Sequence, residues 1–577
     1  MKDGEIVAAV CEERFRREKN YVGYPIHSIQ YCLESAGISA TELATIVFTT
    51  IDNTGILIKS KTNTRFSIRD YHDYYGPKYY QKKFGGENAL DYLQWLRDGN
   101  QFQSSDEILN YDYLTDDVLL NPELDQQLFR AECIRFTTET FGVSKEKIQF
   151  LDHHTCHAYY AYFASTFRDQ DCAVITLDGW GDGRNQTVWK VQNEEFTLLA
   201  DSGQNEIGRI YKIATLLLGM RPDEHEFKVM GMAPYAKDSY VQKAFEIIKD
   251  ICEVDGLKII HKDRPQDLYS YLKYEWESHR FDNIAGAVQQ LTEQLACQLV
   301  SNVVKETGIS RLVLGGGIAM NIKMNQAIAD LPEVTEFFVA GSNGDESLSI
   351  GGCYLANAEM KNNKPLHHMY LGYDVTSDID NMKLSDLPQK FDVAENPSLT
   401  EVCKLLFSGK IVGRIDGPAE FGARALGNRS ILANPSIPES VQKINEAIKN
   451  RDFWMPFALS VLEDKHHEYI DNPKNLLSPV MAMGFNSLPN NYSQIKAGTH
   501  PYDRTVRPQF VSPVHNPNYY ALISEYAKIS GVPALLNTSF NLHGEPIIDT
   551  VQDAIRTFDL SGLDHLLIGS RFLLSKR

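Results

Sequence analysis

Four side chains have the types and spacing to hold a metal ion. His153 and His157 stand in L-D-H-H-T-C-H-A, Asp178 ends the apolar run C-A-V-I-T-L-D, and Asp345 lies in G-S-N-G-D-E-S. Histidines at i and i+4 share one helical face about one turn apart, so both imidazoles can reach one ion. Carboxylates on two turns that follow apolar runs complete a mixed nitrogen and oxygen set, which suits iron, manganese or zinc better than calcium. An isolated H-x-x-x-H pair is weak, and the strand-end aspartate gives it weight. The glutamate of H-E-x-x-H is absent, so the usual general base of a zinc protease is missing. Cys156 falls between the histidines but would face away from the ion on a helix.

A second set of residues suits anions. G-R-I-D-G-P-A-E-F-G-A-R-A-L-G-N-R-S carries Arg414, Arg424 and Arg429 among glycines. Lys449 and Arg451, then Arg504 and Arg507, then Asn537, Ser539 and Asn541 in L-L-N-T-S-F-N-L-H-G-E-P-I follow it. Arginine offers paired hydrogen bonds to phosphate oxygens, and backbone N–H groups at glycines add more. The competing reading is surface salt bridging, for which arginines beside glycines in turns are poorly placed.

The elements that must position these residues alternate between strand and helix up to about residue 365. Strands are expected at Ile6–Val10, Thr45–Thr50, Cys172–Asp178, Thr187–Val191, Arg311–Gly317 and Thr335–Ala340, and a long helix over Ile284–Thr307. The strand, glycine turn and helix in R-L-V-L-G-G-G-I-A-M-N let the backbone N–H groups of Gly315, Gly316 and Gly317 approach a phosphate. K-N-N-K-P-L-H-H has linker character, which gives domains of residues 1–366 and 367–577. Between about residues 65 and 125, Tyr71, Tyr74, Tyr75, Tyr79, Tyr80, Tyr92 and Trp95 crowd a polar insertion. They suit either a lid over a hydroxyl-rich acceptor or ordinary packing on the domain.

With 577 residues the chain exceeds a single core. A hydrophobic share of 43% and a charged share of 23% are those of a globular enzyme. A net charge of −19 argues against nonspecific binding to nucleic acid or anionic membranes. The nine cysteines lack any C-x-x-C spacing, so reduced thiols in a cytoplasmic protein are expected. No apolar run is long enough for a membrane span, and M-K-D-G-E does not open a signal peptide.

H-H-T-C-H-A, L-D-G-W-G-D-G, I-G-R-I-Y-K-I-A-T, K-V-M-G-M-A-P-Y, G-G-G-I-A-M-N, E-F-G-A-R-A-L-G-N-R-S-I-L-A and L-L-N-T-S-F-N-L-H-G-E-P-I together resemble the nodulation and antibiotic O-carbamoyltransferase family, in order along nearly the whole chain. The resemblance implies an N-terminal α/β domain of the actin/Hsp70-like (ASKHA) type and a C-terminal YrdC-like α/β domain. It implies that the second domain makes carbamoyl-adenylate from carbamoyl phosphate and ATP, with Mg(II) accompanying the nucleotide. The first domain then passes the carbamoyl group to a hydroxyl of a small-molecule acceptor at an iron, Fe(II), held by His153, His157, Asp178 and Asp345. Carried over by motif, Lys19 lies near the nucleotide and acceptor and acts with His153. Arg424, Lys449, Arg507, Asn537, Ser539 and Asn541 meet carbamoyl phosphate and nucleotide. A homodimer is compatible with this reading.

Met455 in F-W-M-P-F-A stands where some members carry arginine, which leaves one phosphate contact absent or supplied by Arg451 or Arg504. Family members begin with a strand and an Asp/His loop that this sequence lacks, so a first strand is expected to be missing. The alternatives are a tRNA threonylcarbamoyl-transferase-like protein, which would not carry R-A-L-G-N-R-S, and a noncatalytic nucleotide-binding partner, which has no use for the ligand set.

Overall fold

The computed structural model describes residues 1–577 except 64–66, 81, 83–86, 99–107, 169, 450 and 451. It contains two compact units. The first is built from Met1–Ile6, Asn20–Ala319 and Ser347–Lys364, and the second from Val7–Lys19, Met320–Glu346 and Pro365–Arg577. The passage at Lys364 and Pro365 falls beside the linker-like run. The second unit also takes Val7–Lys19 and Met320–Glu346, which a single boundary at 366 would leave in the first.

In the first unit, strand Cys172–Gly181 pairs antiparallel with Arg184–Gln192 and parallel with Arg311–Gly315, while Glu195–Ser202 lines the outer side of Arg184–Gln192. Cys172–Leu177 is buried at every position, which explains a continuous apolar run rather than an alternating one. Helix His153–Ala164 packs on this sheet and on helix Leu348–Ala356. The two helices approach so closely that a Cβ at Gly351 would meet the Cys156 carbonyl at 1.9 Å. The long helix runs Phe281–Thr307 and stops at Gly308, which takes φ +70° to cap it.

The strand expected at Ile6–Val10 is absent. Lys2 and Glu5 exchange both backbone hydrogen bonds, 2.8 and 2.9 Å, across the Asp3–Gly4 turn, so the turn closes on its own flanks. The following segment is extended but gains no ladder, which a strand needs to satisfy its N–H groups. The other expected strands are present, as Ile46–Phe48, Cys172–Gly181, Arg184–Gln192, Arg311–Gly315 and Glu336–Val339.

The aromatic insertion turns inward on itself. Tyr74 stacks on Trp95 with centroids 4.2 Å apart, Tyr79 packs on Tyr92 at 5.2 Å, and Tyr92 and Leu96 are buried. The side chains of Tyr75 and Tyr80, and Arg65, lie outside the described residues.

The second unit is organised on an eight-stranded mixed sheet in the order Phe391–Glu395, Phe572–Lys576, His565–Ile568, Val412–Ile415, Arg429–Ala433, Ala534–Ser539, Ala458–Leu462 and Pro508–Val511. Its middle strands are buried throughout, and their Ile, Leu, Val and Phe residues form one continuous core. Arg429, Asn537 and Ser460 are polar exceptions within this core. Each must find its hydrogen bonds internally.

Candidate metal centre and arginine loop

The histidine helix starts where Asp152 accepts the Thr155 N–H at 2.8 Å, an N-cap that fixes which residues begin the first turn. His153 and His157 then share a face, with ring centroids 4.7 Å apart. His153 Nε2 lies 3.2 Å from Asp178 Oδ2, and Asp178 Oδ1 accepts the Gly317 N–H at 2.8 Å. Asp345 opens the short turn Asp345–Ser347 at the head of helix Leu348–Ala356. One ligand atom from each of His153, His157, Asp178 and Asp345 lies within 4.8 Å of all the others. The three nearest the sheet are buried and Asp345 is exposed.

Electrostatics favour the protonation states that a metal ion requires. Burial pushes His157 down to about 3, so its imidazole is neutral, and the charge of His153 acts in the same direction. Burial alone would raise Asp178. The hydrogen bond from His153, the charges of both histidines and the Gly317 N–H outweigh it and hold the carboxyl well below its usual range. His154 serves the fold instead. Its ring sits 2.7 Å from Thr176 Oγ and 3.1 Å from the Arg184 carbonyl, and burial lowers it to about 4.

Two residues of the D-G-W-G-D turn do as much for this site as the ligands. Asp182 accepts the His153 N–H at 2.7 Å, the Thr50 hydroxyl at 2.8 Å and the Ile51 and Asp52 N–H groups at 3.0 Å. It thereby ties the histidine helix to the loop after strand Ile46–Phe48. Gly181 leaves room for the His153 ring, since a Cβ there would sit 2.3 Å from Cδ2. The sequence marked Asp178 as a ligand and Asp182 only as part of a Gly/Asp turn, with no role in the site for Asp182 or Gly181. The signal was available in the second Gly-Asp pair of the same turn.

The Gly315–Gly317 turn closes on this cluster. Gly316 has φ +86° and a Cβ on it would meet the Leu177 carbonyl at 2.3 Å, while Gly315 packs on Ala161 and the His157 carbonyl. These glycines bring the turn against Asp178 and the histidine helix, and the Gly317 N–H is spent on Asp178.

In the second unit, Arg424 rides on a loop whose backbone is fixed nearly atom by atom. Glu420 Oε1 accepts the N–H groups of Leu426, Asn428 and Arg429 at 2.7, 2.7 and 3.2 Å. Asn537 Nδ2 donates to the Ala425 carbonyl at 3.1 Å, and both Gln509 and Tyr370 donate to the Leu426 carbonyl at 2.9 Å. Arg414 donates to the Gly427 carbonyl and to Asp416. Arg429 spends its guanidinium on the carbonyls of Asp549, Asp416, Gly417, Asn428 and Tyr373. Among the described residues, Arg424 itself makes no side-chain hydrogen bond, and Glu346 is the one charge felt by its guanidinium.

Lys449 Nζ donates to the Ser539 carbonyl, to Ser539 Oγ at 3.1 Å and to Asn541 Oδ1, so these three expected residues converge. Asn537 is wholly buried and supports the arginine loop. Arg507 is half-buried at the start of strand Pro508–Val511, and Lys19 is exposed at the end of the Val7–Lys19 segment. Arg504 is exposed, with its guanidinium 4.8 Å from the Tyr492 ring centre. Arg451 lies outside the described residues.

By fold and site, the chain is a mixed α/β protein with a histidine–carboxylate cluster and an arginine-bearing loop. It belongs to the carbamoyltransferase family. The carbamoyltransferase N-terminus model matches residues 1–354 and the carbamoyltransferase C-terminus model matches residues 403–576. The nodulation protein NolNO of Sinorhizobium fredii is 29% identical over 593 residues, covering 100% of this chain and 78% of that protein. An uncharacterized protein of Methanocaldococcus jannaschii is 31% identical over 459 residues, with 78% of this chain and 87% of the relative covered. The 3'-hydroxymethylcephem-O-carbamoyltransferase of Amycolatopsis lactamdurans is 28% identical over 267 residues, 45% of this chain and 48% of the relative. The protein is therefore a transferase. No helix among the described residues is long and apolar enough to cross a membrane.

Proposed function

We propose that this carbamoyltransferase, in its second unit, uses water to split carbamoyl phosphate into carbamate and phosphate and then joins the carbamate oxygen to the α-phosphate of ATP, forming carbamoyl-adenylate and releasing pyrophosphate. We further propose that it moves the carbamoyl group, in its first unit, to a hydroxyl of a sugar or natural-product acceptor. The chemistry needs both parts. A carbamate oxygen is a poor leaving group until it is tied to a better one, and AMP is such a group. The observation that carries the reading is the coexistence, in one chain, of a histidine–carboxylate cluster and a loop whose Arg424 guanidinium makes no hydrogen bond among the described residues. The name of the cephem relative supports oxygen as the accepting atom.

His153, His157, Asp178 and Asp345 would hold Fe(II) or a similar divalent ion. Two imidazoles and two carboxylates fit such an ion by donor type, and the acidity of Asp178 and the neutrality of His157 suit ligation. When bound, the ion supplies Lewis acidity toward the carbamoyl oxygen. Asp182 and Gly181 hold the His153 backbone and ring in register with Asp178. Arg424, with Arg507, would bind phosphate oxygens, and Lys449 with Ser539 and Asn541 would contact ATP, which Mg(II) accompanies.

The test is pyrophosphate release from purified protein given ATP and carbamoyl phosphate. Release that depends on both substrates is expected. Folded, metal-loaded protein that releases none refutes the activation step.

A further inference from the structure

We infer that Arg14, on the Val7–Lys19 segment, is a positioning residue that sets where Arg424 presents its guanidinium. The inference rests on the reading that Arg424 binds carbamoyl phosphate. Arg14 is 3% exposed and lies in the short helix Glu12–Arg16. Its Nη2 donates to the carbonyls of Glu420 at 3.1 Å and Gly422 at 2.9 Å, and its Nη1 donates to the Ile548 carbonyl at 3.1 Å. These partners are 406 to 534 positions away in sequence.

Arg14 therefore grips the arriving arm of the loop that carries Arg424. The departing arm is gripped by the Glu420 carboxylate, through the N–H groups of Leu426, Asn428 and Arg429. Between the two grips the chain turns at Gly422, whose φ is +91° and whose missing Cβ would collide with Ser342 Oγ at 2.1 Å. A side chain other than glycine would be strained there, so this part of the loop gets no rigidity from its own residue and takes it from Arg14. Arg17 repeats the device nearby, donating to the Ile547 carbonyl at 2.8 Å and the Pro546 carbonyl at 3.1 Å.

A buried guanidinium whose hydrogen bonds all go to carbonyls is costly unless every bond is good, even with the charge of the buried Asp549 nearby, and its planar fork is what lets one side chain reach three of them. Lysine keeps the charge as a single point and cannot span the set. A strut that merely stabilised the unit would lower its melting temperature. A positioning residue acts on the bound anion through Arg424, and that difference is measurable.

The carbamoyl-phosphate KM for pyrophosphate release is measured in the full-length chain for wild type, Arg14→Lys, Arg424→Ala and the double variant, at saturating ATP. Arg14→Lys should raise KM about tenfold, the scale of a small misplacement of a binding group. The double variant should show the KM of Arg424→Ala alone, because nothing remains for Arg14 to position. An unchanged KM in Arg14→Lys, or two factors that multiply in the double variant, overturns the inference while leaving Arg424 as the anion site. An unchanged KM in Arg424→Ala instead overturns the reading of the anion site itself, and the inference with it. Glu420→Gln, which keeps shape and removes the charge that gathers the three N–H groups, goes through the same cycle. If Arg14→Lys does not fold, Arg14→Gln, which cannot span the three carbonyls, takes its place with the same expected and refuting results.

Discussion

Around His153 the reactive side chains face one another and short-range carboxylates hold the backbone. Around Arg424 the backbone is held by the nearby Glu420 carboxylate and by side chains distant in sequence, and among the described residues the reactive group makes no hydrogen bond. In the first region, Asp152, Asp178 and Asp182 stand within thirty-one positions of one another in sequence, and together they cap the helix, meet His153 and pin its N–H. In the second, Glu420 holds three N–H groups locally, and the other grips on the loop come from Arg14, Tyr370, Arg414, Gln509 and Asn537, most of them far away in sequence. A cluster of mutually attracting ligands can organise much of its own geometry. A lone cation waiting for an anion cannot, and must be positioned by groups that do not touch the anion.

The largest expected effect comes from breaking the self-organised region. His157→Ala should abolish bound metal while leaving secondary structure intact, read by metal analysis and circular dichroism; unchanged metal content removes the ligand assignment. His153→Ala should likewise end transfer to acceptor. Pyrophosphate release dependent on ATP and carbamoyl phosphate should persist in it. If both half-reactions disappear together in folded protein, the two regions do not divide the chemistry.

Next comes the support beneath the ligands. Asp182→Ala removes the acceptor of the His153, Thr50, Ile51 and Asp52 bonds. Metal affinity should fall about ten- to a hundredfold, the usual cost of losing a partner that orients a ligand. Gly181→Ala should act similarly, by forcing the His153 ring aside. Metal titration that matches wild type in both would mean that the histidine helix is fixed by packing alone.

The arginine loop should respond by smaller, separable steps. Arg424→Ala removes one charge-assisted contact, about 1.5–3 kcal/mol, and should raise the carbamoyl-phosphate KM about ten- to a hundredfold without altering metal content. Arg507→Ala should do so more weakly, with partial recovery in Arg507→Lys, where charge returns without the fork. Wild-type kinetics in the alanine variants would make the arginines structural and erase the contrast between the regions.

Much of this contrast was visible in the chain itself. The H-H-T-C-H spacing dictates that two imidazoles share a helical face. The apolar run before Asp178 dictates a buried strand, and turn residues mark its end. Helical period and strand burial are local properties, so residues close in sequence reveal them. The order of motifs also carried the family. What the sequence did not reveal was which residues stand behind the reactive ones. Ile6–Val10 has the composition of a strand, but pairing decides strands, and the Ala9 N–H bond to the Leu371 carbonyl is not extended into a ladder. Gly315–Gly317 reads as a phosphate turn, yet tertiary packing spends the Gly317 N–H on Asp178. Arg14 sits in the charged stretch C-E-E-R-F, and only folding brings three carbonyls from positions 420, 422 and 548 around it. Hydrogen bonds between residues hundreds of positions apart leave no periodic signature in sequence. The physical demand that a buried charge be satisfied becomes visible only when the fold shows what surrounds it.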